Sequence, residues 1–201
     1  MKFIGTPLKD AYIIDVEPFC DERGMFARAF CRREFEEAGM KPEIAQCNIS
    51  CNVRKGVLRG LHYQLAPFGE TKIVRCTRGA IYDVVVDIRP ESTTYLNWFG
   101  VDLTAQNRRM LYVPKGLAHG YETLADDSEV FYMVSTPYVP DFERGVRWND
   151  PLFGIEWPIP DPLVSQKDAG YPDYAEAATG GEIHGGREGR TAREAVQGRR
   201  G

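Results

Sequence analysis

The stretch that decides the fold is G-V-L-R-G-L-H-Y-Q, residues 56–64, an apolar, strand-like run that carries an arginine and a histidine three residues apart. An ionisable group inside a sheet is costly unless it is paired or lines a ligand cavity. In a regular strand His62 and Gln64 share one face, whereas Arg59 has the opposite parity. We therefore predict that Gly60 opens a β-bulge that lets Arg59 and His62 line one cavity. The simpler interpretation is a core histidine bonded to a backbone carbonyl.

Short strand-like runs flank this stretch at intervals of about ten residues, and Gly, Pro or polar turn residues bound each of them. No helical pattern separates the runs between residues 44 and 135. Such spacing predicts an all-β sandwich or barrel, with a jelly roll as the favoured architecture. The predicted strands cover residues 12–16, 46–51, 56–64, 71–78, 80–89, 95–103, 109–113 and 129–135.

Three other segments complete the predicted organisation of the chain. Arg32 to Gly39 has a helix-forming composition closed by a glycine, which predicts one short N-terminal helix. Residues 137–174 are rich in proline and aromatic side chains, and we expect an ordered wrap without regular structure. Residues 175–201 lack aromatic residues and cannot bury enough apolar surface to offset their ordering entropy. We predict a single domain over residues 1–174 and a disordered tail over residues 175–201.

Composition excludes several classes of partner. The chain has 201 residues, of which 43% are hydrophobic, and its net charge is −4. There is no basic surplus to neutralise nucleic acid or anionic lipid, so we expect neither as a partner. The sequence contains no run of roughly 18 apolar residues and no signal peptide pattern, and its five cysteines form no C-x-x-C pair. These features favour a cytoplasmic protein with free thiols.

Four basic side chains converge in the predicted barrel. Lys72 shares a strand face with the apolar Val74, although a lysine near a strand end can also extend to solvent. The turn P-K-G-L-A-H-G delivers His119, which joins Arg59 and His62. Such a cationic set suits an anion or a negative charge that develops during a reaction. The pattern therefore predicts a phosphorylated or enolisable substrate.

Proton transfer in such a site requires a carboxylate that orients the base and an acid that returns a proton. The sequence offers two candidates for each of these two roles. The carboxylate that orients His62 could be Asp168 or Asp83, and the phenol that delivers a proton could be Tyr132 or Tyr138. Spacing along the chain leaves both choices open.

A rival interpretation is a metal-dependent enzyme of the cupin class, in which H-x-H, a downstream Glu and a final His bind a divalent ion. The corresponding residues here are His62, Gln64, Glu70 and His119. Glutamine is a weak ligand for a transition metal, and the neighbouring Lys72 would repel a dication. We therefore predict no metal at this site.

A series of motifs, in order from residue 19 to residue 168, carries a family resemblance. Together with the opening stretch, they make the chain similar to the dTDP-4-dehydrorhamnose 3,5-epimerase family, the sugar-nucleotide branch of the cupins. The further motifs are F-x-D-E-R-G (19–24), Q-x-N-x-S (46–50), K-I-V-R (72–75), D-I-R-P-E-S (87–92), P-x-G-x-A-H-G (114–120), Y-x-P-x-x-E (138–143), W-x-D-P (148–151) and S-x-K-D (165–168).

The resemblance implies a cupin-type jelly roll that acts as a cofactor-free homodimer on a nucleoside-diphospho-4-keto-6-deoxy sugar. The implied reaction inverts C3 and C5 and converts dTDP-4-dehydro-6-deoxyglucose to dTDP-4-dehydro-L-rhamnose. In that reaction His62, held by Asp168, would abstract a proton next to the ketone, and Lys72 would stabilise the enolate. Tyr132 would return a proton from the opposite face.

The resemblance also implies a set of substrate-binding residues. Arg59 and Arg23 suit the diphosphate, and Tyr138 would stack on the base across the dimer interface. The full implied set is Arg23, Gln46, Asn48, Arg59, His119, Tyr138 and Glu143.

Two departures from the family pattern keep alternatives open. Arg28 stands where the family usually has a glutamate that touches the nucleoside, and Glu70 stands where a neutral residue is usual. A charge reversal near the nucleoside admits a CDP-linked sugar. Relatives that invert one centre or shift the keto group keep most of the same residues. A non-catalytic sugar-binding jelly roll is the alternative from another class.

Overall fold

The structure, a computed structural model, describes residues 1–41 and 43–174. The tail predicted for residues 175–201 lies outside the described residues. Within them the regular secondary structure is mostly β-strand, as predicted. In chain order the elements are β1 (Lys2–Gly5), β2 (Tyr12–Asp15), β3 (Phe19–Asp21), β4 (Gly24–Phe26), α1 (Arg32–Glu37), β5 (Gln46–Asn52), β6 (Val57–Gln64), β7 (Lys72–Arg78), β8 (Ala80–Asp87), β9 (Trp98–Thr104), β10 (Met110–Val113), β11 (Leu117–Thr123), β12 (Ser128–Val134), a 3₁₀ turn (Pro140–Phe142), β13 (Glu143–Gly145), β14 (Leu163–Val164) and α2 (Gln166–Ala169).

The strands form two main sheets and one separate hairpin. The first sheet has the order β1-β2-β10-β7-β12-β5, and the second has the order β13-β6-β11-β8-β9, with β14 parallel to the start of β6. The hairpin consists of β3 and β4. Neighbours in the sheets are mostly distant in sequence, as a jelly roll requires. The predicted all-β jelly-roll fold is confirmed.

Alternation along the strands builds a core between the two sheets. On β7, Val74 and Cys76 point into this core, whereas Ile73 points to the outer face of the first sheet. Strands β8 and β10 contribute apolar side chains to the same core. The core fills only part of the space between the sheets, and the remainder is the cavity described below.

Two segments cover the outer faces of the sheets. Helix α1 buries Phe35 against the first sheet and ends before Gly39, whose φ is +79°, which confirms the predicted N-terminal helix. Residues 143–174 lie over the second sheet, where Val146 and Phe153 join a second apolar cluster. This wrap contains the short elements β13, β14 and α2, so the prediction that it lacks regular structure was wrong in detail.

Strand β11 is the main element that the sequence did not reveal. Residues 114–120 read as a turn, but the turn is confined to residues 114–116, and a wholly buried strand begins at Leu117. It pairs with β6 on one side and β8 on the other. A glycine at its centre, Gly120, hides the strand pattern.

In the part of the chain that the structure describes, no helix is long and apolar enough to cross a membrane.

Candidate active site

The candidate site is a cavity between the two sheets, formed by two adjoining hollows of about 300 Å³ and about 250 Å³. Both hollows are lined by His62, Lys72, Tyr132 and Glu143, so they form one continuous site. The predicted residues that line it are Gln46, Asn48, Arg59, His62, Lys72, His119, Tyr132, Tyr138 and Glu143. Arg59, His62, Lys72 and His119 therefore converge as the sequence pattern predicted, and the other residues of this set were implied by the family resemblance.

The predicted bulge at Gly60 is confirmed. His119 pairs with His62 and Tyr121 pairs with Arg59, so β6 has one more residue than β11 between these pairs. Gly60 has φ +130°, and a Cβ there would lie 2.6 Å from the Cα of Gly120. The bulge changes the parity of β6, and as a result Arg59 and His62 line the same hollow.

His62 is paired with Asp168. Its Nε2 lies 2.8 Å from Oδ1 of Asp168, a buried carboxylate whose Oδ2 accepts the backbone N–H of Gly60 at 3.2 Å. Burial alone would raise the pKa of Asp168. The hydrogen bond and charge of His62, together with the backbone N–H of Gly60, outweigh burial, so the pKa of Asp168 is lowered. Asp168 comes from α2, where the hydroxyl of Ser165 accepts its backbone N–H at 3.0 Å.

Asp83, the other candidate partner of His62, belongs to the second histidine. Its Oδ1 lies 2.8 Å from Nε2 of His119, and both residues are buried on neighbouring strands β8 and β11. Both histidines that line the cavity are thus paired with a buried aspartate. The simpler interpretation of His62 as a core histidine bonded to a backbone carbonyl does not hold, because its recorded partner is a carboxylate.

Lys72 is buried and points into the cavity instead of extending to solvent. Its ammonium lies 3.2 Å from Oε1 of Glu70, and the amide of Gln64 donates to Oε2 of the same carboxylate at 3.2 Å. Glu70, the second departure from the family pattern, therefore has a structural reason. It compensates a lysine that would otherwise be a buried, unpaired charge.

The two candidate phenols occupy different places. Tyr132 lies on β12 and lines both hollows. Its pKa is raised, mainly by burial, so the phenol stays protonated. Tyr138 is about half exposed, and its hydroxyl donates to Oε2 of Glu143 at 2.6 Å. Tyr132 is the phenol placed deep in the cavity with His62.

Sequence reasoning missed two residues at the site, one beside Glu143 and one beside His62. Nζ of Lys167 lies 2.6 Å from Oε2 of Glu143, and the ring of Tyr171 packs edge-on against His62 with a centroid distance of 5.9 Å. Lys167 could have been found, because it belongs to the S-x-K-D motif. No sequence signal points to Tyr171, whose ring occupies the space that a Cβ on Gly145 would fill.

The structure does not bring Arg23 to the cavity of its own chain. Arg23 lies at the tip of the β3–β4 hairpin, 85% of its side chain is exposed, and it pairs with Asp21. Arg28 is also away from the cavity and pairs with Glu34 of α1. Among the predicted substrate-binding residues, Arg23 is the one that a single chain leaves apart from the others.

The residues considered as metal ligands have other partners. His62 and His119 bond to aspartates, and Glu70 bonds to Lys72. Over residues 1–41 and 43–174, no three His, Cys, Asp or Glu side chains come together in a metal-binding arrangement.

Comparison with known proteins places this architecture in a family. The family model for dTDP-4-dehydrorhamnose 3,5-epimerase matches residues 5–176. The dTDP-4-dehydrorhamnose 3,5-epimerase of Shigella flexneri is 45% identical over 178 residues, which cover 88% of this chain and 98% of that protein.

Solved structures agree with the sequence comparison. The dTDP-4-dehydrorhamnose 3,5-epimerase of Elizabethkingia anophelis superimposes with a TM-score of 0.86 at 38% identity and covers 88% of this chain and 97% of its own. A 3′-monoepimerase from Streptomyces bikiniensis in complex with dTDP-quinovose gives a TM-score of 0.82 at 34% identity, with 88% and 89% covered. The chain belongs to the dTDP-4-dehydrorhamnose 3,5-epimerase family.

Proposed function

We propose that this protein inverts C3 and C5 of dTDP-4-dehydro-6-deoxyglucose and thereby forms dTDP-4-dehydro-L-rhamnose. The observation that carries the proposal is that the His62–Asp168 pair opens onto the same cavity as Lys72 and Tyr132. The dTDP-4-dehydrorhamnose 3,5-epimerases of Shigella flexneri and Escherichia coli match the chain over 98% and 91% of their own length.

His62 is the base in this proposal. The C4 ketone acidifies the hydrogens on C3 and C5, because the carbanion formed at either carbon is an enolate. Asp168 occupies Nε2 of His62, which leaves Nδ1 to take up the proton. The carboxylate fixes the orientation of the imidazole and stabilises the imidazolium that forms.

Lys72 stabilises the enolate in this proposal, because an ammonium placed near the C4 oxygen is worth most in a site that excludes water. Oε1 of Glu70 lies 3.2 Å from that ammonium and holds it in place. Proton transfer leaves the oxidation level of the sugar unchanged, so we propose that the reaction needs no cofactor.

Tyr132 returns the proton from the face opposite His62, and this change of face is what inverts the carbon. Burial raises the pKa of the phenol above the ordinary value, so the phenol still carries the proton that it returns. A pair of groups, one for removal and one for return, explains inversion without a redox step.

The remaining residues of the site hold the substrate in this proposal. Arg59, with its planar fork of donors, binds the diphosphate, and Tyr138 at the mouth of the cavity stacks on the base. The other predicted binding residues on the cavity wall are Gln46, Asn48, His119 and Glu143.

We also propose that the protein is a homodimer in which Arg23 serves the cavity of the other chain. The β3–β4 hairpin exposes 76% of Phe19 and 73% of Phe26, an apolar surface next to the exposed Arg23 at the hairpin tip. A second copy would cover the two phenylalanines and bring Arg23 to a diphosphate. We propose a cytoplasmic location, which suits five cysteines that form no disulfide among themselves.

The test is the stereochemistry of the product. The protein is incubated with dTDP-4-dehydro-6-deoxyglucose, and proton NMR follows the configuration at C3 and C5. The proposal expects both centres to invert. Inversion of one centre would replace it with the single-centre reaction that the similarity to a 3′-monoepimerase also supports. A CDP-linked substrate that turns over faster would instead replace the dTDP-linked substrate of this proposal.

A further inference from the structure

Arg59 is anchored through one nitrogen of its guanidinium. Its Nε donates to Oδ1 of Asn52 at 2.8 Å. Among the described residues, neither terminal nitrogen of Arg59 has a recorded protein partner, and the side chain lines the cavity. A guanidinium held at Nε presents its two terminal nitrogens as a fork, the arrangement that recognises phosphate through two parallel hydrogen bonds.

Asn52 is itself fixed on the other side. It is 3% exposed, and its Nδ2 donates to the backbone carbonyls of Ser128 at 3.2 Å and Ser50 at 3.3 Å. Carbonyls only accept and a guanidinium only donates, so the surroundings determine which end of the amide faces Arg59. An aspartate would place an oxygen against two carbonyls, and an alanine would leave Nε without an acceptor.

Tyr121 completes the network from the opposite sheet. It is the cross-strand neighbour of Arg59 on β11, and its hydroxyl lies 2.8 Å from Oγ of Ser50 and 3.3 Å from Nδ2 of Asn52. The tyrosine is buried, and burial raises the pKa of its hydroxyl, which therefore remains a donor. Side chains from β5 of the first sheet and from β6 and β11 of the second are joined at this end of the barrel.

We propose that Asn52 and Tyr121 are positioning residues for Arg59, which hold its guanidinium with both terminal nitrogens directed into the cavity to receive the substrate diphosphate. The inference rests on the proposed function, because it assigns the diphosphate to Arg59. Neither residue belongs to the proposed proton-transfer set of His62, Asp168, Lys72 and Tyr132, so we assign both to substrate binding and not to proton transfer.

The test is a double-mutant cycle on dTDP affinity, measured by calorimetry with Asn52→Ala, Arg59→Ala and the double variant. We expect Asn52→Ala to weaken dTDP binding about fivefold or more, to raise KM, and to leave kcat nearly unchanged. In the Arg59→Ala background the same change should have no further effect, because the group it positions is gone. Asn107→Ala, in the turn that follows β9, is the matched control and should leave dTDP affinity unchanged.

The outcomes separate the inference from the proposed function. If Asn52→Ala weakens dTDP binding as much in the Arg59→Ala background as in the wild type, the positioning role is overturned. If Arg59→Ala itself leaves dTDP affinity unchanged, the diphosphate assignment fails and takes the inference with it. If Asn52→Ala does not fold, Tyr121→Phe, which removes only a hydroxyl, replaces it in the double-mutant cycle with Arg59→Ala. We then expect a smaller loss of dTDP affinity.

Discussion

The two imidazole–carboxylate pairs of the cavity differ in how completely the carboxylate is bonded. Both oxygens of Asp168 have partners, His62 and the backbone N–H of Gly60. Asp83 is fully buried, and its Oδ2 has no recorded partner in the described structure. Asp168 is thus held in one orientation from two sides. A base that gains and loses a proton must stay in a fixed position, so its partner must also be fixed.

Asp168→Asn keeps the shape of this side chain but removes its charge. We expect kcat to fall about 100-fold or more, because the imidazolium formed on proton abstraction loses its counter-charge.

The charge of Asp168 also contributes to stability, because its pKa is lower in the folded protein than in the unfolded chain. This contribution is present above the unfolded pKa of about 3.9 and is lost as the pH falls through the folded pKa. Thermal melts should show the variant less stable than the wild type down to about pH 5, with the gap closing below about pH 4. A gap that closes between pH 8 and pH 6 would contradict this assignment.

Single residues inside strands could be predicted from the sequence, but their partners could not. Lys72 and His62 stand out because a polar side chain interrupts an apolar strand pattern. The choice between Asp168 and Asp83 depends on tertiary packing, since one carboxylate arrives on α2 and the other on β8. Tyr171 reaches His62 only because Gly145 leaves room for its ring, a relation that no local pattern encodes.

At the scale of secondary-structure elements, the contact between β6 and β11 controls the geometry of the site. The two strands approach so closely at the bulge that Gly60 and Gly120 face each other. A Cβ on Gly120 would lie 2.6 Å from the backbone oxygen of Arg59. This contact sets the relative positions of His62 and His119, which are cross-strand partners.

Gly60→Ala should therefore affect both stability and activity. The new Cβ would meet the backbone of β11, and the positive φ of Gly60 strains any L side chain. We expect about 2 to 4 kcal/mol of lost stability and a clear loss of turnover, measured by denaturant unfolding and by product formation. Gly154→Ala is the matched control, because its φ is also positive but its Cβ would meet nothing within 4 Å. Equal effects of the two substitutions would show that close approach of β11 is not the cause.

Elements bounded by strong turn signals were predictable, and short or interrupted ones were not. Each of the eight predicted strand runs corresponds to an observed strand, with ends shifted by a few residues. Strand β11 was missed because Gly120 lies at its centre, where glycine normally argues against a strand. The β3–β4 hairpin and α2 are too short to show a period of two or 3.6 residues.

At the scale of the whole molecule, one chain leaves the proposed site incomplete, since Arg23 lies on an exposed hairpin away from the cavity. The proposed dimer completes the site only if each hairpin serves the other chain. The exposed Phe19 and Phe26 beside it are the surface that such a contact would bury.

Subunit complementation tests this arrangement. Arg23→Ala and His62→Ala chains, each nearly inactive alone, are mixed under conditions that exchange subunits. If Arg23 acts in the other chain, a mixed dimer holds one intact site, and random mixing should restore roughly a quarter of wild-type turnover. If Arg23 acts within its own chain, every site carries a defect and no activity returns, which would contradict the proposed dimer.

The division of labour between His62 and Tyr132 is the central claim, and solvent deuterium tests it most directly. Each protein is incubated with dTDP-4-dehydro-6-deoxyglucose in heavy water, and mass spectrometry and NMR then follow deuterium and configuration at C3 and C5. We predict that the wild type incorporates deuterium with inversion at both carbons, and that His62→Ala incorporates none. Tyr132→Phe should incorporate deuterium while the original configuration is kept, because His62 can still remove a proton and return a deuteron to the same face. Inversion at a normal rate by Tyr132→Phe, or exchange catalysed by His62→Ala, would contradict the account.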